Sequence, residues 1–292
     1  MKKKMQISFS GGRTSAYMTK LLIDNMSEEY DFIVTFANTG LEHEKTLEFV
    51  NNCDVYFNFN TVWLEADVFL DERKGTGFKI VDFKSASRKG EPYEQVIKKY
   101  GIPNVSFPHC TRELKLSPMR TYLKSLGIKH TDIPTAIGIR NDETRRVSAQ
   151  AEVNNIIYPL INLWPSDKQD VLDFWEDQKF DLGLDEHDGN CKLCFKKSMK
   201  KQFKQMDSDP SIIKWYMDME DKYATNGYNK EKEFKRVFFR HSTSATRLLE
   251  LYEENKIEDK GQLSYNVPSS RLVTNKYEDS GCSESCEVYA TE

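Results

Sequence analysis

The chain has 292 residues, with 42 Lys and Arg against 46 Asp and Glu, a net charge of −4 and a pI near 5.9. That length buries a substantial core, in one large domain or in one domain with an addition, and the mild acidity argues against generic electrostatic binding to nucleic acid, which needs a basic surplus. No apolar run approaches a membrane span, and Met1-Lys2-Lys3-Lys4 leads into a short strand rather than a signal-peptide hydrophobic segment, so the expectation is a cytoplasmic protein with no membrane partner.

Met5-Gln6-Ile7-Ser8-Phe9 reads as a short buried strand, and it runs into Ser10-Gly11-Gly12-Arg13-Thr14-Ser15 before helical spacing begins over 16–22. Phe32-Ile33-Val34-Thr35-Phe36 reads as a second buried strand. It is followed by helical spacing over 42–52 and by extended signals at Val55-Tyr56-Phe57 and Val62-Trp63-Leu64. Residues 92–100 and 116–126 read as helices, and Thr135-Ala136-Ile137-Gly138-Ile139 as a strand ending in Arg140-Asn141-Asp142-Glu143. Alternation of this kind predicts an α/β fold, a parallel sheet flanked by helices, in which ligands gather at the carboxyl ends of the strands. After residue 166 the pattern turns helical, over 167–179, 196–206, 210–223 and 232–255, and from 261 onward the chain is polar. The expected organisation is a nucleotide-binding α/β domain over 1–165, a helical region over 166–260 and a flexible tail over 261–292. The lysine-rich stretches 73–89 and 192–204 are expected to be solvated helix faces, the second also a docking surface for a nucleic-acid acceptor.

The first loop carries the most chemistry. Two glycines let backbone N–H groups come close to a ligand, and Ser10, Thr14 and Ser15 add hydroxyls at the positive end of a helix dipole, which makes an anion site suited to phosphate. The Walker spacing and its terminal Gly-Lys pair are absent. Arg140 at a strand end can make a bidentate bond to phosphate or sulfate, with Asp142 and Glu143 to orient it or to hold magnesium through water. Arg112 and Lys115 can add positive charge to the same pocket, and Thr39 and Gly40 can offer backbone contacts to a nucleotide. Cys191-x-x-Cys194 supplies two thiols from one tight turn, and Cys110 joins them if the fold brings it close. Three thiolates suit an iron–sulfur cluster with one open iron, or a zinc ion completed by His109; alone, Cys191 and Cys194 read equally well as a redox dithiol. Cys53 reads as a packed apolar residue. Cys282 and Cys286 stand in the tail among acidic residues that would raise a thiol pKa.

Ser10-Gly11-Gly12-x-x-Ser15 resembles the pyrophosphate loop of the PP-loop ATPases, of adenine nucleotide α-hydrolase-like fold. The longer run from Ser8 to Ser15 resembles phage and bacterial members of the phosphoadenosine phosphosulfate (PAPS) reductase family. Phe36-Ala37-Asn38-Thr39-Gly40, Cys110-Thr111-Arg112-Glu113-Leu114-Lys115, Ile137-Gly138-Ile139-Arg140-Asn141-Asp142-Glu143, Tyr158-Pro159-Leu160 and Gly189-Asn190-Cys191-Lys192-Leu193-Cys194 follow in that family's order. The resemblance implies an enzyme whose nucleotide site is formed by Ser10, Gly11, Gly12, Arg13, Thr14, Ser15, Thr39, Gly40, Arg112, Lys115, Gly138 and Arg140, binding ATP, PAPS or adenosine phosphosulfate (APS). It implies a 4Fe–4S cluster or zinc at the cysteines, and a sulfur or electron donor protein as partner. Two chemistries fit: ATP-dependent adenylylation followed by thiolation, and thiol-dependent sulfonucleotide reduction with Cys282 as the attacking thiol. A nucleotide-binding accessory protein is the third reading. ATP-hydrolysing members carry Asp where Thr14 stands, so the resemblance does not carry over a magnesium arrangement.

Overall fold

A computed structural model describes residues 2–71, 73–185, 187–189, 191–227 and 235–258. The expected tail, with Cys282 and Cys286, lies outside the described residues. Strand β1 (Lys3–Ser8) leads to helix α1 (Arg13–Met26), β2 (Tyr30–Asn38), α2 (Glu44–Phe57), β3 (Val62–Val68), β4 (Thr76–Val81) and α3 (Glu91–Tyr100). A continuous helical stretch follows, made of α4 (His109–Thr111), a π-helical turn (Arg112–Leu116) and α5 (Ser117–Ser125). Then come β5 (Thr135–Ile137), a 3₁₀ turn (Asn141–Arg146), β6 (Ile156–Ile157), α6 (Pro159–Asn162), α7 (Lys168–Glu176), α8 (Met199–Ser208), α9 (Ile212–Tyr223) and α10 (Ala245–Glu258).

The six strands form one sheet in the order β4-β3-β2-β1-β5-β6, parallel except for the β3–β4 hairpin. Side chains alternate across it as a period of two requires. Ile7, Phe9, Val34, Phe36, Trp63 and Ala136 pack on one face with α1, α2 and α7, whereas Ala37, Leu64 and Ile137 pack on the other with Leu116 and Met119. The chain leaves β1 toward β2 and β3, then crosses back to place β5 on β1's other side. The carboxyl ends of β1 and β5 therefore flank the crevice where an open α/β sheet holds its ligand.

Three expectations at the level of elements need correction. Val55-Tyr56-Phe57 is the last turn of α2 rather than a strand: Phe57 packs against Trp175 and Phe180, and Asn58, in the left-handed conformation, ends the helix. Tertiary packing overrides β-propensity there. Within the lysine-rich stretch 73–89 lies β4, an edge strand registered on β3, with Lys79 and Ile80 facing outward. The stretch 235–244 is non-helical, and only its C-terminal continuation forms α10. Residues 168–184 share the sheet's own core, since Val171, Trp175, Leu182 and Leu184 pack with α1 and α2. A second core joins α3, Leu41 and Leu114 to α8, α9 and α10.

Candidate functional site

Gly11 has φ +81°, and a Cβ there would meet Thr46 Cγ2 at 2.8 Å and the Phe36 ring at 3.0 Å, so the turn out of β1 requires glycine. Gly12 is the N-cap of α1, with no side-chain cap, which leaves the positive helix end to an anion. The Ser10 and Ser15 hydroxyls lie 2.7 Å apart, and Ser15 Oγ also reaches the Gly12 carbonyl at 3.0 Å, which holds the loop in shape. Gly138, just past β5, presses against the first turn of α1. A Cβ on it would fall 2.8 Å from Ser15 Cα.

Arg140 leaves the same strand end with 9% exposure. Its Nε and Nη2 donate to Asp142 Oδ1 and Oδ2 at 2.9 and 3.1 Å, and Nη1 donates to Thr14 Oγ1 at 3.1 Å. Glu143 Oε1 accepts from Arg146 at 2.8 Å, while its Oε2, 3.6 Å from Arg140 Nη1, is buried without a hydrogen-bond partner. Burial pushes the Asp142 carboxyl up, but the hydrogen bonds and charge of Arg140 outweigh it and hold it below the usual carboxylate range. Thr14 thus spends its hydroxyl on Arg140, tying the loop to the end of β5. A magnesium ion would find one unpartnered carboxylate oxygen here, Glu143 Oε2, and would draw most of its ligands from a nucleotide's phosphates.

The thiols converge on the other side of the β2 exit. Buried Tyr216 lies within electrostatic reach of Cys191, Cys194, Cys110 and Glu42, and buried Tyr93 within reach of all three thiols. The turn from Cys191 to Cys194 is pinned by backbone: Lys192 N–H donates to the Leu41 carbonyl at 2.9 Å, and Cys194 N–H to the Cys191 carbonyl at 3.3 Å. Leu193, fully buried, takes φ +44°, a conformation that costs a branched residue about 1 kcal/mol or more and marks a turn the surroundings enforce. Lys197, 1% exposed, donates to the Cys191 carbonyl at 3.2 Å. Burial and the neighbouring Glu42 raise the Cys191 thiol well above its ordinary value; burial raises the Glu42 carboxyl, with Lys115 and the Thr39 hydroxyl pulling it back.

Among the described residues, only Asp185, His187 and Asp188 bring three potential ligand atoms within 4.8 Å of one another. At least one pair of the three thiols is therefore wider apart than the edge of about 3.8 Å that a tetrahedral zinc with Zn–S near 2.3 Å imposes. The donor chemistry suits a thiophilic group, and the spacing suits one larger than a single ion.

The sequence profile of the phosphoadenosine phosphosulfate reductase domain matches residues 4–165, more than half of the chain. The chain belongs to the PAPS reductase family. It is 29% identical to the uncharacterized nin region protein ORF290 of Escherichia phage lambda, over 97% of this chain and 94% of that one. Two Methanocaldococcus jannaschii proteins, MJ0973 and MJ0066, are 25% and 26% identical over 85% and 60% of the chain, which spans 55% and 31% of their lengths. The family and the fold expected from the motifs both hold, and family membership brings a PP-loop type of nucleotide site to the Ser10–Ser15 loop.

Within this PAPS reductase-family chain, several side chains are placed differently from expectation. Arg13 turns away from the loop: its Nε and Nη2 grip Asp181 at 2.6 and 2.5 Å and its Nη1 reaches the Leu184 carbonyl, leaving its backbone for the anion site. Thr39 and Gly40 have their N–H groups satisfied internally, by Glu42 Oε2 at 2.9 Å and by Asn38 Oδ1 at 3.1 Å, and Thr39 Oγ1 sits 3.3 Å from Cys191 Sγ. They serve the thiol pocket, not a nucleotide. Arg112 is on the surface, paired with Glu113 at 2.7 Å; Lys115 is buried beside Glu42 and Cys191 rather than beside the loop. His109 is no fourth ligand, because its Nε2 meets the Gly101 carbonyl at 3.2 Å and its ring rests on Tyr100. The 192–204 stretch is not a uniform solvated face, since Lys197 is internal and Lys196 bonds Thr111. Cys53 is a fully buried packing residue, as expected.

Glu42, Tyr216, Lys197 and Asp181 went unread. Glu42 had a signal: Thr39-x-x-Glu42 has capping-box spacing, and the reciprocal hydrogen bonds of that motif are present although α2 starts later, at Glu44. The Arg13–Asp181 latch carries a pH signature. Burial pushes the Asp181 carboxyl up, but hydrogen bonds from Arg13 and the loop backbone hold it below its ordinary value of 3.8, so its stabilisation is present above that pH and lost as pH falls through the lowered value. With Asp181 well solvated, Asp181→Asn is expected to cost about 1 kcal/mol at pH 7. Thermal melts should show that deficit closing as the pH falls below 3.8.

Proposed function

We propose that the chain binds the phosphates of ATP at the Ser10–Ser15 loop and couples attack at the α-phosphorus to sulfur transfer from the Cys110, Cys191 and Cys194 pocket. An acceptor oxygen attacks the α-phosphorus and the bond to pyrophosphate breaks; a sulfur nucleophile then displaces AMP, which leaves with the acceptor's oxygen. The observation that carries this reading is the uncapped α1 N-terminus with Arg140 fixed beside it, at the crevice between β1 and β5. Ser10, Gly11, Gly12 and Ser15 would cradle the leaving pyrophosphate and Arg140 would stabilise its charge. Cys110, Cys191 and Cys194 would hold a 4Fe–4S cluster, and that group would supply a site for the sulfur to be transferred. Sulfonucleotide reduction uses the same anion site for PAPS or APS and is the alternative; it requires a thiol such as Cys282. An accessory protein would bind nucleotide without turnover.

Calorimetric titration with ATP, PAPS and APS, together with exchange of labelled pyrophosphate into ATP across a panel of tRNA and small-molecule acceptors, separates these readings. Acceptor-dependent exchange, abolished in Ser10→Ala/Ser15→Ala, is the expected result. Tight PAPS or APS binding with thiol-dependent sulfite release would transfer the assignment to reduction, and binding without either reaction to an accessory role.

A further inference from the structure

Glu42 is 8% exposed and stands where the β2 exit meets the cysteine turn. Its Oε1 lies 3.9 Å from Cys191 Sγ, and the same buried phenol, Tyr216, senses this carboxylate and all three thiols. We propose that Glu42 is a fourth protein ligand, an oxygen donor that completes the set of Cys110, Cys191 and Cys194. The proposal rests on the reading of those thiols as a metal site.

Orientation supports it. Thr39 donates its N–H to Oε2 at 2.9 Å and its hydroxyl to Oε1 at 2.8 Å, fixing the carboxylate in the way outer hydrogen bonds fix metal-bound carboxylates while leaving each oxygen a further lone pair. Charge supports it too. Three thiolates and one carboxylate carry four negative charges, against which the pocket offers the buried ammonium groups of Lys115 and Lys197. A cationic centre among the four donors would make their joint ionisation favourable; without one, burial holds protons on them. The other residue placed by sequence to fill this position, His109, is engaged with Gly101 and Tyr100. An oxygen donor beside three thiolates would also bind more weakly than a fourth thiolate and yield its position to an incoming sulfur species.

The test uses the full chain and its Glu42→Gln and Glu42→Cys variants, reconstituted without oxygen using ferrous iron and sulfide. The readouts are iron per chain, the electron paramagnetic resonance spectrum of the reduced protein, and the half-life of visible absorbance in excess EDTA. Glu42→Gln is expected to lose iron at least about tenfold faster, with shifted resonance positions, and Glu42→Cys to restore retention. A thiolate regains a ligand but not the hydrogen bonds to Thr39, so rescue separates ligation from a merely structural role. Should Glu42→Gln fail to fold, the Cys variant decides: retention as in the unmodified chain supports ligation, and rapid loss overturns it. Unchanged retention and spectrum in Glu42→Gln would remove Glu42 alone, whereas an unmodified chain that takes up no iron would remove the thiol reading and Glu42 with it.

Discussion

Gly138→Ala is expected to weaken nucleotide binding by at least about 100-fold while leaving the thiol pocket intact. The backbone at Gly138 is not in the left-handed region, so the effect is purely one of space: a Cβ would lie 2.8 Å from Ser15 Cα and 3.1 Å from Ser15 N, both backbone atoms at the start of α1. Rotamer changes cannot relieve such a contact. The first turn of α1 must shift, and with it the N–H groups and the Ser10–Ser15 hydroxyl pair that shape the anion site. Overpacking of this kind costs about 1–3 kcal/mol of stability, which a melt would show alongside the titration. Wild-type ATP or PAPS affinity in Gly138→Ala would mean that the anion does not sit at the α1 N-terminus.

What could be read from the chain followed from periodicity. β1, β2, β3 and β5 announce themselves as short apolar runs, and the three polar blocks after β1, β2 and β5 do stand at the same edge of the sheet. What could not be read was the direction in which individual side chains point. Arg13 and Arg112 look like natural phosphate ligands, yet Asp181 and Glu113 take them, and nothing local to residue 13 reveals a partner 168 positions away. Thr39 and Gly40 were placed at the correct strand end and assigned to the wrong neighbour, because the contact that decides their role, Lys192 N–H to the Leu41 carbonyl, is tertiary. β4 was hidden since an edge strand with outward Lys79 and Ile80 lacks clean alternation.

That misplacement has a consequence for mechanism. The short segment from Asn38 to Glu42 joins the sheet edge that carries the anion loop to the turn that carries Cys191, through Thr39 on one side and Leu41 on the other. A nucleotide site and a thiol site are thereby held by one connection, which is what a reaction needing both an activated phosphoester and a sulfur donor requires of its scaffold.

Arg140→Ala should be the most damaging single change at the nucleotide end, costing about 3 kcal/mol in stability as well as phosphate affinity. Arg140 is buried, clamps Asp142 through two hydrogen bonds and balances Glu143, whose Oε2 has no hydrogen-bond partner of its own. Removing one member of a buried ionic group leaves the others uncompensated, and the cost is mostly theirs. The double variant Arg140→Ala/Glu143→Gln should therefore be more stable than Arg140→Ala alone, since the stranded carboxylate is gone. Arg140→Lys retains the charge but loses the fork that spans Asp142 and Thr14, so it should recover part of the stability and little of the phosphate affinity. Chemical denaturation of the four proteins, paired with ATP and PAPS titrations, measures both effects. If Arg140→Ala melts like the unmodified chain, Arg146 alone neutralises Glu143; if it binds nucleotide normally, the tie from Thr14 to Arg140 is structural and the phosphates lie elsewhere along the loop.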